Sequence, residues 1–223
     1  MNKTIKKILS PILGKPYVSF MRLFTHYCID GFIENQIKKW MKEYIQKGII
    51  LEIGVGQGKL IKYIKPDCIY YGFDIVNLSH LWNKYKKRKN INLFVGSAEH
   101  IPLVDNSIDY IISTEVFEHI RNFDKALEEI YRVSKNGTKL IISIPNNFCY
   151  KYKKKGPHQD HVNNWRYQEF IDLMAPKFQL IEGKMNGYWL PIFRKSRYSL
   201  QIAYHHKLEY YNTNFFFVFE CKK

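Results

Sequence analysis

With 223 residues, 46% of them hydrophobic and 16% aromatic, the chain can bury one full-sized core and has little room for a second domain. Its formal net charge of +15 favours anionic partners such as nucleic acid, phosphorylated metabolites or an acidic membrane face, although lysine-rich, Ile-, Asn- and Tyr-rich composition also follows from an AT-rich genome. Four scattered cysteines (Cys28, Cys68, Cys149, Cys221) without a CxxC pair read as reduced thiols rather than a disulfide framework or zinc knuckle, and no apolar run approaches a membrane span. A soluble, cytoplasmic protein is expected.

Residues 1–28 read as irregular, broken by Pro11, Gly14 and Pro16. Lys3, Lys6 and Lys7 interleave with Ile5, Ile8 and Leu9, a pattern that suits either peripheral contact with an anionic membrane or a solvated terminus. Ile33, Ile37, Trp40, Met41, Tyr44 and Ile45 then recur at helical spacing until Gly48, which predicts a cap helix. Residues 1–48 are therefore set apart as a basic N-terminal segment and cap helix, ahead of a domain over 49–223.

From there strand-like and helix-like segments alternate. Strands are expected at Ile49–Ile53, Tyr70–Phe73, Ile91–Val95, Tyr110–Ser113 and Lys139–Ile144, and helices at Lys59–Ile64, Leu78–Lys87 and Asp124–Val133. A lysine-rich insertion follows Pro145, then a helix at Tyr167–Met174 and two more strands, Phe178–Lys184 and Asn214–Glu220. The alternation predicts an α/β fold: a seven-stranded, mostly parallel sheet with helices on both faces. The run Phe215 to Phe219 is too apolar for an exposed edge and belongs inside the sheet.

The segment Leu51-Glu52-Ile53-Gly54-Val55-Gly56-Gln57-Gly58 closes the first strand and is expected to open a helix, whose free N–H groups would meet a ligand's polar atoms. Its glycines run GxGxG rather than the GxGxxG of dinucleotide enzymes, and Asp74 ends the second strand, where a carboxylate can accept from ribose hydroxyls. Further on stand Gly96-Ser97-Ala98-Glu99-His100-Ile101-Pro102-Leu103 and Ser107-Ile108-Asp109. Together these motifs resemble those of class I S-adenosylmethionine (SAM)-dependent methyltransferases, the type 11 group included. The resemblance covers residues 30 to 145 well. It implies a Rossmann-like fold, with Glu52, Gly54, Gly56, Gly58, Asp74, Ser97, Ala98, Glu99 and Glu115 around SAM. Ser97 stands where the family has an acid that meets the adenine amino group, which leaves adenine recognition weaker or hands it to Glu99.

After the fourth strand comes Glu115-Val116-Phe117-Glu118-His119. At helical spacing, the side chains of Glu115, Glu118 and His119 converge on one side, and two carboxylates with an imidazole suit Mg²⁺, Mn²⁺ or Zn²⁺. A second cluster, His158-Gln159-Asp160-His161-Val162-Asn163-Asn164-Trp165, follows the fifth strand. The pair of clusters resembles the "E-x-x-E-H" element of ubiquinone-biosynthesis O-methyltransferases and the downstream histidine of small-RNA 3′-terminal 2′-O-methyltransferases. That likeness implies Glu115, Glu118, His119 and His161 as metal ligands, with Asn163-Asn164 departing from the RNA enzymes' pattern. Metal-free relatives leave a second reading open, in which Glu115 lines the cofactor pocket, Glu118 is solvated, His119 packs or orients substrate and His161 is a general base.

The expected function is methyl transfer from SAM to a hydroxyl, or less readily an amine, of a small-molecule, sugar or envelope glycan or lipid acceptor. Two rivals are a metal-dependent RNA 2′-O-methyltransferase and a degenerate fold retained as an RNA-binding module.

Overall fold

The computed structural model describes residues 33–149, 152, 156, 158–186, 202–203, 209–210 and 212–223. The basic segment at 1–28, Cys28, most of the run Lys151–Lys155 and most of the stretch 188–211 lie outside the described residues.

Helix α1 (residues 33–44) precedes β1 (Ile49–Ile53), β2 (Ile69–Asp74), α2 (Ser79–Tyr85), β3 (Ile91–Val95) and β4 (Ile108–Thr114). There follow α3 (Phe123–Val133), β5 (Ser134–Pro145), α4 (Tyr167–Met174), β6 (Phe178–Asn186), β7 (Ile202–Ala203) and β8 (Asn214–Cys221). The strands form one sheet in the order β3-β2-β1-β4-β5-β8-β6-β7. The first five in that order run parallel, while β8 is antiparallel to both β5 and β6. Seven strands make up this Rossmann-like sheet as expected, and two-residue β7 extends its edge.

Period-2 alternation along the central strands feeds two cores. Phe215, Phe217 and Phe219 of β8 pack with Leu51, Ile53, Leu140 and Ile142 against α3 and α4. Phe216 and Val218 point the other way and join Ile50, Ile112 and Ile141 beneath α1 and α2. A strand buried on both faces has no polar side, which explains its unbroken apolar run. Trp40 of α1 meets Phe216 edge-on, with ring centroids 6.3 Å apart.

Two connections differ from expectation. Lys59–Ile64 is not an α-helix but contains a single 3-10 turn, Ile61–Tyr63. Pro66 bars helical geometry at Lys65, so too few residues remain after Gly58 to nucleate a helix. Between β3 and β4 the described residues hold no helix either, and residues 96–107 cross as a loop.

Candidate active site

In an open α/β sheet, ligands lie outside the strands' carboxyl ends where the winding order reverses, here between β1 and β4. The glycine loop leaves β1 at this point. Gly54 and Val55 donate their N–H groups to the carbonyl of Phe73, at 2.9 and 3.1 Å, which ties the loop to β2. Gly54, Gly56 and Gly58 have φ of 77°, 50° and 65°.

Their surroundings differ. A Cβ on Gly54 would lie 2.2 Å from Val116 Cγ2, so that glycine serves packing inside the protein. A Cβ on Gly56 would meet no atom of the described residues within 4 Å. Among the described residues Gly56 therefore faces open space, which leaves room for a bound cofactor. Its N–H donates to Asp74 Oδ2 at 2.8 Å, while Val76 N–H reaches Oδ1 at 3.3 Å. Asp74 thus couples the glycine loop to the end of β2, beside the side where a ribose would be held. With no α-helix after Gly58, the expected helix start supplies no donors here, and the N–H groups of Gly54, Val55, Gly56 and Gly58 bond within the protein, to Phe73, Asp74 and Val55.

Beneath the loop, Glu52 is buried and accepts a hydrogen bond from the Tyr70 hydroxyl at 2.6 Å. Burial pushes its carboxyl up to about 8, with Asp74 adding to the rise against the Tyr70 hydrogen bond. Ala98 is buried in the core, and Ser97 Oγ accepts from the N–H of Glu99 at 3.2 Å. Glu99 turns Oε1 to the N–H of Asn122, at 3.2 Å, at the start of α3. This contact holds the loop to α3.

The acceptor side lies after β4 and β5. Helical spacing does not describe Glu115, which has φ of 55°, and the following 3-10 turn begins only at Phe117. A non-glycine residue in the left-handed region is strained, and such strain collects at functional sites. Both Glu115 oxygens are engaged: Oε1 accepts from Ser143 Oγ and Oε2 from Asn214 Nδ2, each at 2.8 Å. Glu115 therefore stands apart from the other three residues expected to bind metal.

Those three come together. Glu118, His119 and His161 each offer one ligand atom, and these atoms all lie within 4.8 Å of one another. Glu118 is only 2% exposed, and its Oε2 has no hydrogen-bond partner among the described residues. Its Oε1 is 3.8 Å from His119 Nε2. Burial, and then the charge of Glu115, lift the Glu118 carboxyl to about 9. The imidazoles of His119 and His161 meet edge-on, with centroids 5.0 Å apart.

Each ring is held through Nδ1: His119 on the Asp160 carbonyl at 2.9 Å, His161 on Asn147 Oδ1 at 3.0 Å. A carbonyl oxygen only accepts, so Nδ1 carries the proton and Nε2 the lone pair. The segment bearing His161 is pinned to the 3-10 turn, because Val162 and Asn163 donate their N–H groups to the Glu118 carbonyl at 2.9 and 3.0 Å. Asn163 Nδ2 adds bonds to the carbonyls of Phe117 and Ile120, at 3.2 and 2.6 Å.

Sequence reasoning missed Tyr70, Ser143, Asn147, Asn164 and Asn214. For Asn147 a signal was present, since it directly follows Asn146 just past the end of β5, on the ligand edge of the sheet.

A family model described as a methyltransferase domain matches residues 51–142. A SAM-dependent methyltransferase structure from Thermotoga maritima superposes with a TM-score of 0.64 at 21% identity, covering 92% of this chain and 98% of that one. These matches support a class I SAM-dependent methyltransferase, with the matched domain spanning residues 51–142. Among its relatives are two uncharacterized proteins of Methanocaldococcus jannaschii. One is 36% identical over 132 residues, covering 56% of this chain and 62% of its own length. The other is 28% identical over 213 residues, covering 86% of this chain and 91% of its own. The methyltransferase match thus contains the glycine loop, Asp74, Glu115, Glu118 and His119, whereas His161 and Asn147 fall beyond it. No helix among the described residues is long and apolar enough to cross a membrane.

Proposed function

We propose that this methyltransferase methylates a hydroxyl of a small-molecule, sugar or lipid-linked acceptor, with Glu118, His119 and His161 holding a divalent cation beside it. One observation carries the reading: the buried Glu118 carboxylate has an oxygen without a hydrogen-bond partner and lies among two imidazoles whose tautomers are set by fixed carbonyls. Burial keeps this carboxyl protonated at neutral pH when no cation is bound, and a divalent cation would take the place of that proton and offset the cost of burying the charge. Two nitrogens and one oxygen suit Zn²⁺ or Mn²⁺ better than Mg²⁺, which prefers oxygen donors.

Bound SAM supplies an electrophilic methyl group on a sulfonium, and a bound cation supplies Lewis acidity toward an acceptor oxygen. The chain does the remainder. Gly54, Gly56 and Asp74 shape the cofactor side, and the Ser143 and Asn214 hydrogen bonds hold Glu115 between the two sides. A neutral hydroxyl is a poor nucleophile: a cation held on the two Nε2 atoms would favour loss of its proton to solvent, whereas without a cation those Nε2 atoms would be free to take it.

The test is transfer of labelled methyl from SAM to sugar, lipid and RNA fractions, with and without chelator, for the native protein and for His161→Ala. Transfer lost to chelator and restored by Mn²⁺ or Zn²⁺ supports the proposal. Transfer that survives chelator but is lost in His161→Ala replaces the cation with a histidine base. Activity unaffected by both overturns the hydroxyl reading in favour of an acceptor that needs no base. Labelling of RNA alone, falling steeply with salt, overturns the acceptor class.

A further inference from the structure

We infer that Asn147 is the positioning residue of the acceptor side: its amide, locked by Asn164, fixes the tautomer and aim of His161. The inference rests on the functional reading of His161, and extends it to a pair of residues outside the matched methyltransferase region.

The chain of contacts has one consistent polarity. Asn147 Nδ2 donates to Asn164 Oδ1 at 2.6 Å. An amide whose nitrogen is committed in that direction turns its oxygen the other way, toward His161 Nδ1 at 3.0 Å. That oxygen can only accept, so His161 keeps its proton on Nδ1. Asn147 is 8% exposed, so bulk water has little access to compete for these bonds.

The anchor is rigid at both ends. Asn146, fully buried, donates from Nδ2 to the carbonyls of Glu209 and Asn212 at 2.7 and 2.8 Å and accepts the N–H of Phe148 at 3.0 Å. Its own N–H donates to the carbonyl of Thr213 at 2.8 Å. At the other end, Asn163 and the Glu118 carbonyl hold the His161 segment. Of two consecutive asparagines, one clamps the backbone and the other aims at the imidazole.

A neutral amide is the fitting choice here. The amide sets the tautomer without changing the charge of the cluster.

The test compares Asn147→Leu, which removes the acceptor at similar volume, with Asn147→Asp, which keeps one. Imidazole nitrogen NMR on ¹⁵N-histidine protein reads the tautomer directly, with the His161 signals assigned by their loss in His161→Gln. The expected result is loss of the Nδ1–H form of His161 in Asn147→Leu and its retention in Asn147→Asp. Calorimetry with Mn²⁺ should show a fall of about 10- to 100-fold in Asn147→Leu, with SAM affinity unchanged. If Asn147→Leu fails to fold, Asn164→Ala tests the same polarity, since freeing the amide should mix the His161 tautomers. An unchanged His161 spectrum and Mn²⁺ affinity overturn the inference while leaving the functional reading intact. Full methyl transfer in His161→Ala overturns that reading, whatever the tautomer.

Discussion

At the ends of β1 and β2 the surface offered to a ligand is mostly backbone, shaped by three glycines with positive φ and one carboxylate that accepts from Gly56. At the ends of β4 and β5 it is side chains: a buried glutamate, two histidines and the asparagines that orient them. The first side lies within residues 49 to 76 and is held by backbone bonds to the neighbouring strand. The second draws residues from 115 to 164 and from β8. On the proposed function, a cofactor common to many enzymes would be met by a local, largely backbone device, and a particular acceptor by side chains gathered from separate segments. The two sides touch where Val116 closes over Gly54.

The largest expected effect falls on the cofactor side alone. Asp74→Ala removes a charged acceptor from the ribose side and from Gly56, so SAM affinity should drop about 100-fold or more. Mn²⁺ binding by the acceptor side should stay as in the native protein. Calorimetry with each ligand checks this, and joint loss of both would show that the two sides are not separable.

The contact between them gives the next effect. Gly54→Ala drives a methyl into Val116 at positive φ and should cost about 2–4 kcal/mol of stability in urea melts. Gly56→Ala meets no atom of the described residues and should cost only about 1–2 kcal/mol, from φ alone, yet weaken SAM binding. Equal destabilisation by the two would mean that Gly56 serves internal packing as well.

The same contrast explains what could be read from sequence. The glycine loop, the strand bounds of β1 and β3 and the burial of Phe215 to Phe219 are local patterns of period and spacing, and the structure follows them. Convergence of His119 and His161 also followed from strand topology, because β4 and β5 are neighbours. Helical spacing does not describe Glu115, whose φ of 55° accompanies hydrogen bonds to Ser143 and Asn214 that no periodicity encodes. The Asn164–Asn147–His161 relay depends on the orientation of two amides, and no period or motif encodes that.

A smaller effect concerns pH. Glu52, lifted by burial from an ordinary 4.5 to about 8, binds its proton more tightly in the folded than in the unfolded chain. Its contribution to stability is therefore greatest below pH 4.5 and is lost as pH rises toward about 8. Glu52→Gln should remove that decline, leaving the variant more stable than the native protein by a few kcal/mol above pH 8 and near parity at pH 4.5. Urea midpoints across this range decide it, and a native protein whose stability does not fall over this window would place Glu52 in a wetter setting.

The smallest effect tests whether surface charge supports the cofactor side at all. Glu34 of α1 pairs with Lys62 at 2.7 Å and accepts from the Tyr63 hydroxyl at 2.7 Å, joining α1 to the 3-10 turn beyond the glycine loop. Burial works to raise its carboxyl, but the bonds from Lys62 and Tyr63 outweigh it, so the carboxyl sits below its ordinary value. A depressed acid contributes stability above its unfolded pKa and loses it as pH falls, and exposed Lys62 keeps that contribution small. Glu34→Gln preserves an acceptor for Tyr63 and removes only the charge, so Tm should fall by about 2 °C or less at neutral pH, less in high salt, and not at all in acid. SAM affinity should not change, because the loop N–H groups and Asp74 are set by the bonds between β1 and β2, not by this pair. A measurable loss of SAM affinity would show that α1 reaches the cofactor side through charge, and would erase the separation between backbone and side-chain recognition on which the comparison rests.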